Sequence, residues 1–128
     1  MHEHQARLLL VDDDPSAIHV MSRMLAQFPD QRFATSGEAA LQLAREETPD
    51  LILLDAEMPG MTGFQVQEQL QSDPALAGVP VIFASSHAAM AMKASALYHG
   101  AAGYFTKPLD ATRLAASVHA RLRLRPQP

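Results

Sequence analysis

The chain has 128 residues, of which 48% are apolar and 19% charged, and carries a formal net charge of −4. That length and balance predict one globular domain with a substantial core and exclude a disordered chain. The absence of cysteine excludes disulfides, thiolate metal sites and cysteine nucleophiles together.

The first apolar run, Leu8 to Val11, is too short for a signal peptide or a membrane span, so a cytoplasmic protein without membrane attachment is expected. The charge is unevenly spread. Residues 1–73 hold thirteen of the fourteen acids and have a net charge of −9, and residues 74–128 have a net charge of +5. A solvated acidic surface explains this as readily as a cation site does, and the positions of the acids must decide. The basic residues form no dense cluster interleaved with aromatics, so no direct nucleic-acid binding is expected.

In chain order, Arg7-Leu-Leu-Leu-Val11 reads as a buried strand that ends on Asp12-Asp13-Asp14. Asp14 suits a helix N-cap and Pro15 the first helical turn, after which Ile18, Met21, Leu25 and Phe28 recur at helical spacing up to Pro29-Asp30. Gln31 to Ala34 is a weak strand. Ser36 caps a second helix with Ala39, Ala40, Leu43 and Ala44 as its packing face, closed by Thr48-Pro49. Leu51 to Leu54 is an unbroken aliphatic run of strand length, and it ends abruptly on the lone carboxylate of Asp55 before a Pro59-Gly60 turn. Phe64, Val66 and Leu70 predict a third helix ending near Ser72-Asp73-Pro74. Gly78 to Ala84 reads as a turn and a fourth strand ending on Ser85-Ser86-His87. Ala88 to Tyr98 reads as a helix closed by Gly100, and Ala102 to Thr106 as a fifth strand ending on Lys107-Pro108. A last helix runs from about Asp110 past Leu114, Val118 and Leu122.

Strands alternating with helices predict an α/β fold, a five-stranded parallel sheet with helices on both faces and right-handed crossovers. Five such units fit the flavodoxin-like order 2-1-3-4-5, whose carboxyl edge is where ligands bind. That edge would gather Asp12, Asp13, Asp55, Ser85 and Lys107. Taken singly, each has an ordinary explanation as a cap, a turn residue or a solvated charge; four strands each ending on a suitable group is a different matter. Crowded carboxylates repel one another, and a hard divalent cation with oxygen ligands, Mg2+, relieves them. Cation, lysine and hydroxyl donor around one carboxylate nucleophile make the equipment of phosphoryl transfer, with Asp55 as the nucleophile.

These residues resemble the receiver domain of two-component response regulators, the CheY-like family. The resemblance rests on Leu-Leu-Val-Asp12-Asp13-Asp14-Pro15, on Pro49-Asp-Leu-Ile-Leu-Leu-Asp55-x-x-Met-Pro-x-Met-x-Gly63, on Pro80-Val-Ile-Phe-Ala-Ser85, and on Gly100-Ala-x-Gly-Tyr-Phe-Thr-Lys107-Pro108. It spans Leu8 to about Leu124, which gives a tail at 1–6, a receiver domain at 7–124, and a tail or the start of a linker at 125–128. The resemblance implies that Asp55 accepts phosphate and that Asp12, Asp13, Asp55 and the backbone carbonyl of Glu57 hold Mg2+. It implies further that Ser85 bonds a phosphoryl oxygen, that Lys107 pairs with the phosphate, and that the bond before Pro108 is cis. Ser85 and Tyr104 would be the switch, altering the face made by the Ala88–Tyr98 helix, the fifth strand and the last helix, through which an effector domain, a partner or a second copy would bind. Glu57 and His87 would tune the loss of phosphate. Ser86 stands where alanine or glycine is usual but is still small.

The expected function is a phosphorelay receiver taking its phosphoryl group from a histidine kinase or a phosphotransfer protein, without turnover of an external metabolite. The alternative is a Mg2+-dependent phosphatase with an aspartyl nucleophile, for which Glu57 has the spacing of a general acid. A nucleotide-binding domain is disfavoured because no glycine-rich turn follows the first strand.

Overall fold

The computed structural model describes residues 5–86 and 100–123. The predicted Ala88–Tyr98 helix and His87 lie outside the described residues. Five strands, β1 (Arg7–Val11), β2 (Asp30–Ala34), β3 (Leu51–Asp55), β4 (Val81–Ser85) and β5 (Gly103–Thr106), pair in parallel in the order β2-β1-β3-β4-β5. The helices α1 (Pro15–Met24), α2 (Gly37–Glu46), α3 (Gly63–Ser72) and a C-terminal helix (Ala111–Arg123) cover the sheet.

The period of two along each strand divides the core between the faces. Leu9, Val11, Ile52, Leu54, Val81 and Phe83 face α2 and α3, meeting Ala40, Leu41, Ala44, Val66 and Leu70. Leu8, Leu10, Leu51, Leu53, Ile82 and Ala84 face the other way, against Met21, Leu25 and Phe28 of the α1 segment and Leu114 and Val118 of the C-terminal helix. A strand covered on both faces has no polar side, which is why β3 is aliphatic up to its last residue and buried throughout.

The edge strand β2 is built differently. Its register places Gln31 on the α1 face, where the side chain amide donates to the carbonyls of Leu25 and Phe28, each at 3.0 Å, and accepts from the Ser22 hydroxyl at 2.5 Å. Gln31 thus satisfies backbone acceptors left over where α1 ends. The helix starts follow the sequence: Asp14 caps α1, Ser36 caps α2, and Asp110 accepts the Arg113 N–H at 3.1 Å to open the C-terminal helix. Thr62 and Gln65 form a capping box at α3.

One expectation needs correction. The buried face of α2 is Gly37, Ala40, Leu41 and Ala44, whereas Ala39 and Leu43 are only partly buried. Gly37 sets this rotation, because a Cβ there would come within 2.7 Å of Val66 Cγ2 and 3.0 Å of Met61, so its backbone lies directly against them. The expected turn at Gly78 precedes strand β4, which begins at Val81, and the Pro80 carbonyl already accepts the Ile52 N–H at 3.0 Å.

Gly63 positions the site. Its N–H donates to the Ala56 carbonyl at 3.1 Å, and a Cβ added there would lie 2.3 Å from the Asp55 carbonyl oxygen and 2.9 Å from Ala56 Cα. Those are backbone atoms, which cannot rotate away. Gly63→Ala is therefore expected to push α3 off the end of β3 and cost about 2 kcal/mol or more, whereas Gly78→Ala, which meets nothing within 4 Å, stays within about 0.5 kcal/mol of the parent. Denaturant unfolding of both variants checks the contrast; equal losses would contradict it.

Candidate functional site

The carboxyl edge of the sheet brings together the groups that β1, β3, β4 and β5 deliver. Asp12 follows the last residue of β1 and is held in place by its N–H bond to the Ala34 carbonyl, at 3.2 Å. Its side chain is almost completely buried; Oδ1 accepts the Asp14 N–H at 2.9 Å and Oδ2 meets Lys107 Nζ at 2.7 Å. Asp13 is exposed, and Asp14 is occupied as the α1 cap. Asp55, 3% exposed, ends β3; its Oδ1 accepts the Glu57 N–H at 3.2 Å and lies 3.7 Å from Lys107 Nζ. Lys107 follows β5 directly, with its N–H bonded to the Ser85 carbonyl at 2.7 Å and a cis bond to Pro108. One lysine therefore serves two buried carboxylates.

Burial and the neighbouring charge of Asp12 push the Asp55 carboxyl up to about 7; Lys107 and the Glu57 N–H pull the other way without prevailing. For Lys107, burial works against the ammonium, but the hydrogen bond to Asp12 and the charges of Asp55, Asp12 and Glu57 outweigh it and hold the amine above its ordinary value. Among the described residues the site is thus short of positive charge. Asp12, Asp13 and Asp55 each present a carboxylate oxygen, all within 4.8 Å of one another. Hard oxygen donors at that spacing, with one lysine beside them among the described residues, fit a divalent cation.

The structure brings Asp12, Asp13, Asp55 and Lys107 together as the sequence predicted. Ser85 is fully buried at the end of β4, beside them. Tyr104 pairs in register with Phe83 and is half-buried, packed against the core on the α2 and α3 face. Glu57 is where the structure adds something. Its carboxylate accepts the Ser85 hydroxyl through Oε2 and the Ser86 N–H at 3.1 Å through Oε1. Sequence reasoning missed this use of the Glu57 side chain, since nothing local marks a residue two beyond Asp55 as the partner of a strand 28 residues away.

The family described as Response regulator receiver domain matches residues 8–119. Protein PilH of Pseudomonas aeruginosa is 36% identical over 118 residues, covering 91% of this chain and 98% of that protein. Response regulator PleD of Caulobacter vibrioides is 34% identical over 121 residues, or 94% of this chain but only 27% of that protein. A DNA-binding response regulator, MtrA of Mycobacterium tuberculosis, is 36% identical over 96% of this chain and 53% of its own length. Among solved structures, the receiver domain of the response regulator NarL from Mycobacterium tuberculosis superposes with a TM-score of 0.85 at 32% identity, covering 96% of this chain and all of that one. Chemotaxis protein CheY4 of Vibrio cholerae superposes at 0.84 with 25% identity, covering 91% and 98% of the two chains. Among the described residues no helix is long and apolar enough to cross a membrane. Together with the sheet order and the acidic pocket at its carboxyl edge, these matches place the chain in the family of response regulator receiver domains, signalling modules of two-component systems rather than enzymes.

Proposed function

We propose that this receiver takes a phosphoryl group from a histidine kinase or a phosphotransfer protein onto Asp55, with Mg2+ held by Asp12, Asp13, Asp55 and the backbone carbonyl of Glu57. The observation that carries the reading is the position of Asp55: a buried carboxylate set between two other acids and a lysine that reaches both Asp12 and Asp55. An Asp55 oxygen attacks phosphorus as the phosphorus–nitrogen bond of the donor histidine breaks. The imidazole leaves with the bonding pair and Asp55 is left as an acyl phosphate. Lys107 supplies a fixed positive charge where the phosphoryl oxygens gather charge, and Ser85 supplies a hydroxyl donor. Bound Mg2+ would add charge stabilisation of those same oxygens.

The modified state adds charge and acceptor oxygens beside Ser85. In this reading the response passes from Ser85 to Tyr104 and so to the surface around β5 and the C-terminal helix, where an effector, a partner or a second copy binds. The relatives differ in what accompanies the receiver: this chain spans nearly all of PilH but about a quarter of PleD and half of MtrA. Output is therefore not inherited from the domain.

Incubation with a small phosphodonor and Mg2+, followed by mass spectrometry, tests the assignment. The expected result is a single phosphoryl adduct per chain, absent in Asp55→Ala while the variant stays folded. Multiple turnover of phosphomonoesters would instead support the phosphatase alternative.

The position of Asp55 also fixes a pH dependence. Its folded value of about 7 lies above the 3.8 of an unfolded carboxyl, so the folded state holds this proton more tightly than the unfolded state does. Stability from the protonated form is full below about pH 4, declines as pH rises, and is lost above about pH 7. Without divalent cation, Asp55→Asn should therefore melt several degrees above the parent at pH 8, by an amount that shrinks toward pH 4 and shrinks again when Mg2+ is added. A variant less stable than the parent at pH 8 would contradict this.

A further inference from the structure

The Glu57 carboxylate adds a further negative charge to a pocket already short of positive ones, and its charge acts on both Asp55 and Lys107. What draws it to β4 is a pair of donors. One oxygen accepts the Ser85 hydroxyl and the other accepts the Ser86 N–H at 3.1 Å, so both oxygens of the carboxylate are engaged at the end of that strand. Ser85 is fully buried and its carbonyl is fixed by the Lys107 N–H at 2.7 Å, so the strand end that Glu57 grips is the one joined to β5 and the lysine. A hydroxyl and a backbone N–H presented to an anion are also the donors that a phosphoryl oxygen on Asp55 would take.

We infer that Glu57 is a positioning residue whose carboxylate acts as an internal placeholder for the phosphoryl group, holding Ser85 and Ser86 until the phosphoryl group displaces it. This rests on the receiver reading and goes beyond a general effect on phosphate loss: it names the donors over which the two anions compete. The competition weights the domain toward the unmodified arrangement. Freed from Glu57, Ser85 meets the phosphoryl oxygen without first breaking a charge-assisted hydrogen bond. Simple repulsion between Glu57 and an incoming anion would also disfavour the modified state, but would not depend on the Ser85 hydroxyl.

A double-mutant cycle separates the two. Beryllofluoride with Mg2+ is titrated by fluorine NMR into the parent, Glu57→Gln, Glu57→Ala, and the same three proteins carrying Ser85→Ala. The placeholder predicts that Glu57→Ala tightens binding about tenfold or more when Ser85 is present. Glu57→Gln, with one acceptor oxygen and no charge, tightens it less. In the Ser85→Ala background the gain from Glu57→Ala falls at least about threefold. Equal gains in both backgrounds, with Gln matching Ala, would overturn the placeholder and leave repulsion as the whole effect. Failure of the parent and every variant to bind beryllofluoride with Mg2+ would overturn the receiver reading along with it.

Discussion

Asp12 and Asp55 are buried side by side with a single lysine between them, and the rest of the site follows from that constraint. Two carboxylates out of water cannot both ionise freely, and Asp13 adds a third acid at the rim. The protein answers with Lys107, which binds Asp12 closely and Asp55 more loosely, at 2.7 and 3.7 Å. The asymmetry leaves Asp55 as the under-compensated member, with its carboxyl raised to about 7. A raised carboxyl in a cation-fitting pocket is a poor resting anion, and positive charge brought into the pocket would favour its ionised form.

The fold serves to hold that conflict in place. Two full layers of aliphatic side chains grip β3, so the end of the strand cannot retreat into water to relieve Asp55. Gly63 brings the start of α3 against the Asp55 backbone, and the Lys107 N–H ties the end of β5 to the end of β4. Glu57 draws Ser85 and Ser86 into the same network. Each strand that contributes a group is thereby coupled to its neighbour through a short contact, so a change at Asp55 has mechanical routes to β4 and β5.

The legibility of the sequence tracks how local the physics is. The strands β1, β3 and β4 were readable because a strand covered on both faces must be apolar along its whole length, and their terminal polar residues then stood out. Helix starts at Asp14 and Ser36 were readable because capping involves residues two or three apart. Strand β2 was faint because its Gln31 and Arg32 have tasks away from the core, Gln31 completing the end of α1 and Arg32 lying 4.0 Å from Glu47. The rotation of α2 was not readable, since it depends on Gly37 meeting α3. The Glu57 side chain was opaque for the same reason: its partners come from another strand, and only the folded register puts them within reach.

If crowded carboxylates are what the site is built to relieve, cation binding and proton release must be coupled at Asp55. Calorimetric titration of Mg2+ in buffers of different ionisation enthalpy counts the protons released. Close to one proton per chain is expected at about pH 6, where Asp55 is mostly protonated, falling to roughly a tenth at about pH 8. The coupling should disappear in Asp55→Asn. Release that is the same at both pH values, or unchanged in the variant, would contradict it.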